Sequence, residues 1–288
     1  MSAETVNGAV THARRGDARV ARVARATPPR RGESPHLNRR RGVRSRPRAL
    51  VMRAPGTNCD RETVIALELA GAEVEAVHLE RLLTVERVLG DFGLVVLPGG
   101  FSFGDHLGAG ALWAHRLEGV REALDRFVAS GRPVLGICNG FQALLRLGLL
   151  SGGGLAPNAS GHFECRWIWM RRPATARSPL LDGVDRIAMP IGHGEGRFVA
   201  SDAATLSRLE ARGEIGLVYC DADGNPGDYP VNPNGSDAAV AALTNATGNV
   251  LGLMPHPERN VSPGQAPAGR ADGAGLSIFR NAVRMARG

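Results

Sequence analysis

The chain has 288 residues, of which 43% are hydrophobic, enough for one large α/β domain with a substantial buried core. Its longest apolar runs, Leu94–Pro98 and Pro133–Ile137, fall far short of the ~20 residues that a membrane-spanning helix needs. The net charge of +7 invites a nucleic-acid reading, but residues 1–48 hold 13 arginines against 3 acidic residues, leaving 22 arginines against 25 acidic residues in the remainder. The basic character therefore belongs to the N-terminal segment, and all of it is arginine, with no lysine in the chain.

Residues 1–47 lack hydrophobic periodicity and are rich in Arg, Gly, Pro and Ala, so a disordered tail is expected. Three origins compete for it: translation from an upstream start, a basic arm touching nucleic acid, or a transit peptide. No charged-then-apolar leader opens the chain, and the four cysteines (Cys59, Cys138, Cys165, Cys220) form no Cys-x-x-Cys pair. Reduced thiols in a cytoplasmic protein are the expectation.

From Arg48 the pattern changes. Residues 48–55 form a short apolar run ending at Pro-Gly, a buried strand. Asp60 is expected to cap a helix that closes at Gly71. Residues 73–79 alternate apolar and charged positions as a second strand, and Leu94–Pro98 is a fully apolar third. A helix near 120–130 leads through Gly131 into a fourth strand over 133–137, followed by a helical run over 141–148. Strands alternating with helices predict a parallel sheet covered on both faces. Short strand candidates follow at 165–170, 186–190, 216–219, 238–243 and 250–254, separated by Asn-Pro-Asn-Gly and Thr-Gly-Asn turns, and these are expected as antiparallel additions. A helix over 276–287 ends the chain. The predicted architecture is a three-layer α/β sandwich whose mostly parallel central sheet is extended by antiparallel strands, with residues 48–288 as one domain.

Three segments carry chemistry. Gly136-Ile-Cys138-Asn-Gly140 lies between a buried strand and a helix, the pattern of a nucleophile elbow. The turn is too tight for flanking side chains, and the nucleophile sits where the helix dipole and free N–H groups favour a thiolate. A buried core cysteine beside two incidental glycines is the bland alternative. Leu97-Pro-Gly99-Gly100-Phe101-Ser-Phe-Gly-Asp105 begins where the third strand ends. Its backbone N–H groups, with that of Asn139, are candidate oxyanion donors, against a plain Pro-Gly-Gly turn. In Pro255-His256-Pro-Glu258, proline on each side of the histidine favours an extended backbone, placing His256 and Glu258 on one side. Cys138, His256 and Glu258 thus supply nucleophile, base and orienting carboxylate. His193, Glu195, His256 and Glu258 are alternative metal ligands, but neither segment carries a zinc signature and no metal is expected. Cys59, Cys165 and Cys220 read as packing residues, as do the three tryptophans. No aromatic–basic interleaving for nucleic acid is present.

These strings resemble class I (triad) glutamine amidotransferases, and more narrowly the glutaminase subunits of phosphoribosylformylglycinamidine synthase. The class is matched by residues 136–142 and 255–258. The narrower branch is matched by residues 55–62, 98–105, 158–160, 165–167, 193–198 and 232–235, the likeness running from about Arg48 to the C-terminus. It implies hydrolysis of glutamine, with ammonia passed to a large synthetase subunit that uses ATP and Mg to convert formylglycinamide ribonucleotide to the amidine, alongside a small accessory subunit. It implies no cofactor in this chain, and it implies that Gly99, Gly100, Phe101 and Gln142 help to hold glutamine. A catalytically silent module of the same fold is the alternative, and a cysteine peptidase or deglycase on a related sandwich is a third reading, which would place its histidine soon after the elbow. Three positions depart from the pattern: Gly108 stands where Arg is usual, Thr57 where Ser is usual, and residues 151–154 read as a loose, mobile loop.

Overall fold

Arg48–Arg53 forms β1, buried from Ala49 to Met52 as its apolar run requires. In this computed structural model residues 46–84 and 88–288 are described, so nearly all of the expected 1–47 tail lies outside the described residues. Helix α1 (Asp60–Leu69) follows, but Asp60 is its first residue and not its cap. The Asp60 carboxylate is instead held by Arg53 Nε at 2.6 Å, where a negative charge also suits the helix N-terminus. Next come β2 (Glu73–His78), α2 (Leu79–Thr84), β3 (Leu94–Leu97), α3 (Ala111–Leu117), α4 (Arg121–Ala129), β4 (Val134–Ile137) and α5 (Asn139–Arg146). The short helices α2 and α3 span fewer than two turns, too few for an apolar period to show in the sequence.

The second half holds β5 (Gly153–Ala156), β6 (Glu164–Arg171), β7 (Arg186–His193), β8 (Arg197–Ala200), α6 (Ala203–Arg212), β9 (Ile215–Cys220), β10 (Val240–Thr244), β11 (Val250–Leu253) and α7 (Leu276–Met285). Residues 151–154, read above as a loose loop, are corrected here: Gly153 and Gly154 enter β5, which pairs antiparallel with β8 as a separate two-stranded ribbon.

The main sheet has nine strands in the order β2-β1-β3-β4-β11-β10-β9-β6-β7. Strands β2, β1, β3, β4 and β11 run parallel, and the remaining neighbours are antiparallel. One expectation changes: β11 is not an antiparallel addition but the fifth parallel strand, hydrogen-bonded to β4 from Val250↔Val134 to Leu253↔Ile137. Every residue of β3, β4 and β11 is buried, so this part of the sheet is covered on both faces. Helices α1 and α7 pack together, as do α3 and α5.

The register of β4 against β11 is fixed from below by one buried amide. Asn249 Nδ2 donates to Val128 O and Arg132 O, both at 2.9 Å, and Val134 N–H donates back to Asn249 O at 2.8 Å. This stitches the α4–β4 connection to the start of β11. Replacing Asn249 by Ala removes both donors from sheltered carbonyls, and an unfolding midpoint shifted by about 2 kcal/mol at unchanged m-value is expected in urea titration.

Candidate active site

Cys138 stands between β4 and α5 with φ 50° and ψ −105°, a conformation outside the ordinary regions for a residue with a side chain. The strain is held by close packing on either side. A β-carbon at Gly140 would lie 2.0 Å from Leu97 O, and one at Gly136 would lie 2.4 Å from Leu144 Cδ1. Only glycine lets α5 sit this close to β3, which is the physical content of the Gly-x-Cys-x-Gly pattern. Cys138 N–H donates to Leu253 O at 2.7 Å, tying the elbow to the end of β11. Its Sγ lies 3.8 Å from Gly192 O.

The chain leaves β11 through Met254 and Pro255 to His256, whose N–H donates to Pro190 O at 2.9 Å. His256 is extended (φ −105°, ψ 88°), as the flanking prolines favour, but the chain then turns: Pro257–Arg259 form one 3₁₀ turn. Glu258 therefore reaches the imidazole by a turn and not by the extended i, i+2 geometry expected from the sequence. The contact is made nonetheless. His256 Nδ1–H donates to Glu258 Oε1 at 2.6 Å, with both side chains buried.

The other ring nitrogen, Nε2, is buried and makes no well-formed hydrogen bond, while Cys138 and Cys59 both lie within interaction range of the ring. Burial works against an imidazolium here. The Glu258 charge, then the charge and hydrogen bonding of Cys138, outweigh it, with Cys59 adding to them, and hold the His256 pKa well above its ordinary value. Gly99 packs between these groups: a β-carbon there would sit 2.8 Å from His256 Cε1, 3.3 Å from Cys59 Sγ and 3.4 Å from Cys138 Cβ.

The loop after β3 closes over the elbow. Asn139 Oδ1 accepts from Ser102 N–H at 3.0 Å, and Asn139 Nδ2 donates to Asp105 Oδ1 and Gln142 Oε1, both at 2.9 Å. Phe101 is excluded as an amide donor to an oxyanion because its N–H donates to Gly56 O at 3.0 Å. The amides of Gly99, Gly100 and, in the first turn of α5, Asn139 remain the candidates for that task. Both ends of the Gln142 amide are engaged too, Nε2 donating to Glu195 O at 2.5 Å, so Gln142 shapes the wall of the site.

A cleft of about 430 Å³, counting the space open to solvent, lies above Cys138 and is walled by Gly100, Phe101, Gln142, Phe163 and His193. Residues 46–286 match the CobB/CobQ-like glutamine amidotransferase domain. The chain belongs to this family of glutamine amidotransferases.

Within the family, a phosphoribosylformylglycinamidine synthase subunit PurQ of Dehalococcoides mccartyi is 40% identical over 257 residues, spanning 84% of this chain and 99% of that protein. The protein of the same name from Treponema denticola is 44% identical over 240 residues, spanning 75% of this chain and 89% of that one. Among solved structures, PurLQS from Thermotoga maritima contains a chain 35% identical with a TM-score of 0.66, covering 83% of this chain and 99% of that chain.

This amidotransferase places several residues where the sequence alone did not. Cys59, expected to be mere packing, lies against the imidazole and accepts a hydrogen bond from Arg259 Nη2 at 3.2 Å. Among the described residues, the grouping with metal-ligand proximity is Cys59, His256 and Glu258; His193 and Glu195 do not join it. Cys165, also expected inside, is exposed, while Cys220 is buried. Asp105 and Glu195 both face the cleft; burial and then the Glu195 charge, opposed by the Asn139 hydrogen bond, leave the Asp105 pKa raised. Beside them Arg146 takes up the space at Gly108: a β-carbon on Gly108 would come 2.7 Å from its Nη2, and Arg146 Nε donates to Ala109 O at 2.9 Å. A guanidinium is thus present at this corner although residue 108 is not Arg.

His193 is buried, and burial, then the nearby His256 charge, push its pKa from 6.5 down to about 3. The folded protein therefore refuses a proton that the unfolded chain accepts between those values, so this group makes stability fall as pH drops through that window. His256 acts oppositely: its raised pKa stabilises the fold fully below 6.5, and the contribution is lost only as pH rises through the folded value. His193→Asn is expected to flatten the acid limb of stability by up to about 1.4 kcal/mol per pH unit. Denaturant midpoints measured from pH 6 downward check this, and parallel wild-type and variant curves would show that His193 is protonated in the native state.

Proposed function

We propose that the chain is the glutaminase subunit of phosphoribosylformylglycinamidine synthase, with Cys138 as nucleophile, His256 as acid–base group and Glu258 as its orienting carboxylate. The observation that carries the reading is the buried Cys138–His256–Glu258 array, with the His256–Glu258 bond at 2.6 Å, at the carboxyl ends of two adjacent parallel strands. Cys138 Sγ attacks the side-chain carboxamide carbon of glutamine. The oxygen gains negative charge opposite the Gly100 and Asn139 amides, and His256 protonates the nitrogen as the C–N bond breaks. Ammonia leaves, and water, deprotonated by His256, then releases glutamate from the thioester.

The acidic corner formed by Asp105 and Glu195 suits the substrate's α-ammonium group. Both are half-buried, and Glu195 is steadied by the Ala109 N–H at 3.1 Å. The relatives named above are subunits of a synthase, and this supports delivery of ammonia to a synthetase subunit that activates formylglycinamide ribonucleotide with ATP. ATP and Mg belong to that partner, and no cofactor is assigned to this chain. Phe101 and Phe163 line the cleft and are exposed, and Leu107, two residues after Asp105, is 84% exposed, as a docking surface for such a partner would require. A small accessory subunit and a cytoplasmic setting complete the proposal. Among the described residues no helix is long and apolar enough to cross a membrane.

Cys138→Ala is expected to lower glutamine hydrolysis by at least about ten-thousand-fold in the complex with the synthetase, while leaving complex formation intact. An electrophilic glutamine analogue should label Cys138 stoichiometrically; an inert thiol in a folded chain would favour a silent module of the same fold. Glu195→Gln is expected to raise KM for glutamine about tenfold with kcat changed less than about threefold, as loss of a ground-state contact requires.

A further inference from the structure

One wall of the cleft carries a buried polar atom that the mechanism above leaves unused. His193 ends β7 and its ring lies flat over Gly196, where a β-carbon would be 2.3 Å from ring atoms Cε1 and Nδ1. Nδ1 is 3.0 Å from Asn158 Oδ1. The orientation of the Asn158 amide is fixed independently, because its Nδ2 donates to His162 O at 2.9 Å and His193 O at 2.8 Å, and its Oδ1 also accepts from Gly196 N–H at 3.1 Å. Two carbonyl acceptors demand the NH₂ end, so Oδ1 is the acceptor facing His193 and Nδ1 must carry the proton. Nε2 is then a bare lone pair. It is buried, with no hydrogen-bond partner, on the ring edge turned away from Asn158, in a cleft wall shared with Cys138 and Gly192 and within charge range of His256.

An unpartnered buried acceptor is unfavourable unless a donor arrives with the ligand. Resting on the glutaminase reading, we propose that His193 Nε2 accepts a hydrogen bond from the carboxamide N–H of bound glutamine and keeps it through departure of the nitrogen as ammonia. The nitrogen that leaves has two N–H bonds and, once the tetrahedral adduct forms, one lone pair. With one N–H directed at His193 Nε2, the lone pair is left free to take the proton that His256 holds. The C–N electron pair stays on nitrogen, His256 transfers its proton to it, and the thioester remains on Cys138. His193 ends as it began, a neutral acceptor. It has no proton on Nε2 to give, so the product stays as NH₃, the form that acts as a nucleophile downstream. A residue of this kind contacts the reacting nitrogen and is specific for amides, because an ester leaving group offers no N–H.

That difference supplies the test. The full chain in complex with its synthetase is assayed on glutamine and on the γ-methyl ester of glutamate, which passes through the same thioester. His193→Asn retains an amide nitrogen at the position of Nδ1, so the Asn158 contact and the loop survive while the acceptor is removed. The expected result is a fall of about tenfold in kcat/KM for glutamine, the loss of one hydrogen bond to a reacting group, with the ester changed by less than about twofold. His193→Gln, whose side-chain oxygen reaches the place of Nε2, should recover most of the amide rate. Equal losses on both substrates, or an undiminished rate on glutamine, overturn the proposal. Failure of the wild-type complex to cleave either substrate overturns the glutaminase reading itself and the role of His193 with it.

Discussion

The hydrogen bond between His256 and Glu258 is the interaction on which the remainder of the site is arranged. A carboxylate with one unpaired oxygen and an imidazole, both withdrawn from water, would each be costly alone. Together they settle the ring's tautomer and leave Nε2 for the sulfur side. The surrounding backbone keeps them in place: Pro190 O holds the His256 N–H, and Asn260, just beyond the turn, is anchored by Ala188 O and Ala271 O at 3.0 and 3.1 Å. The segment bearing the base is thus bolted to β7 and to the loop before α7. Its rigidity comes from hydrogen bonds to main-chain carbonyls and two prolines, so the geometry does not depend on substrate to form it.

A second layer of organisation follows from the same sheet. Strands β3, β4 and β11 are neighbours and parallel, so the oxyanion loop, the nucleophile and the base all emerge at one edge. The side chain of Asn139 then locks the loop to the elbow through Ser102, Asp105 and Gln142. Two histidines in one small volume would repel each other if both were charged. The site divides the roles by environment: Glu258 favours the charged form of one, while burial and the charge of His256 keep the other neutral.

What could be read from the chain beforehand depended on how local each signal was. The elbow and the His-Pro-Glu turn are contiguous, and the steric demand on Gly136 and Gly140 is written within five residues. The alternation of strands and helices likewise gave the sandwich, because buried parallel strands are uniformly apolar. Strand direction is not encoded in such a run, and β11 was therefore misassigned. Phe101 kept its place in the cleft wall but lost its N–H to Gly56, a contact made across a β-bridge between distant loops. Cys59 and Arg259 meet across most of the chain, and no spacing rule foretells that. The acidic pair Asp105 and Glu195 is a product of tertiary packing as well. The ribbon of β5 and β8 was invisible because two glycines open it, and glycine carries no side-chain pattern.

The strand order also has a consequence for how the protein comes into being. β11, in the middle of the sheet, comes last in chain order among its nine strands and lies between β4 and β10, both earlier in the chain. Until it takes that place, two strand edges stand open. A chain that has not yet placed β11 lacks the imidazole beside its nucleophile, although that nucleophile is already synthesised. Such long-range closure of a parallel sheet is intrinsically slow, and it makes maturation of the thiol contingent on completion of the whole domain.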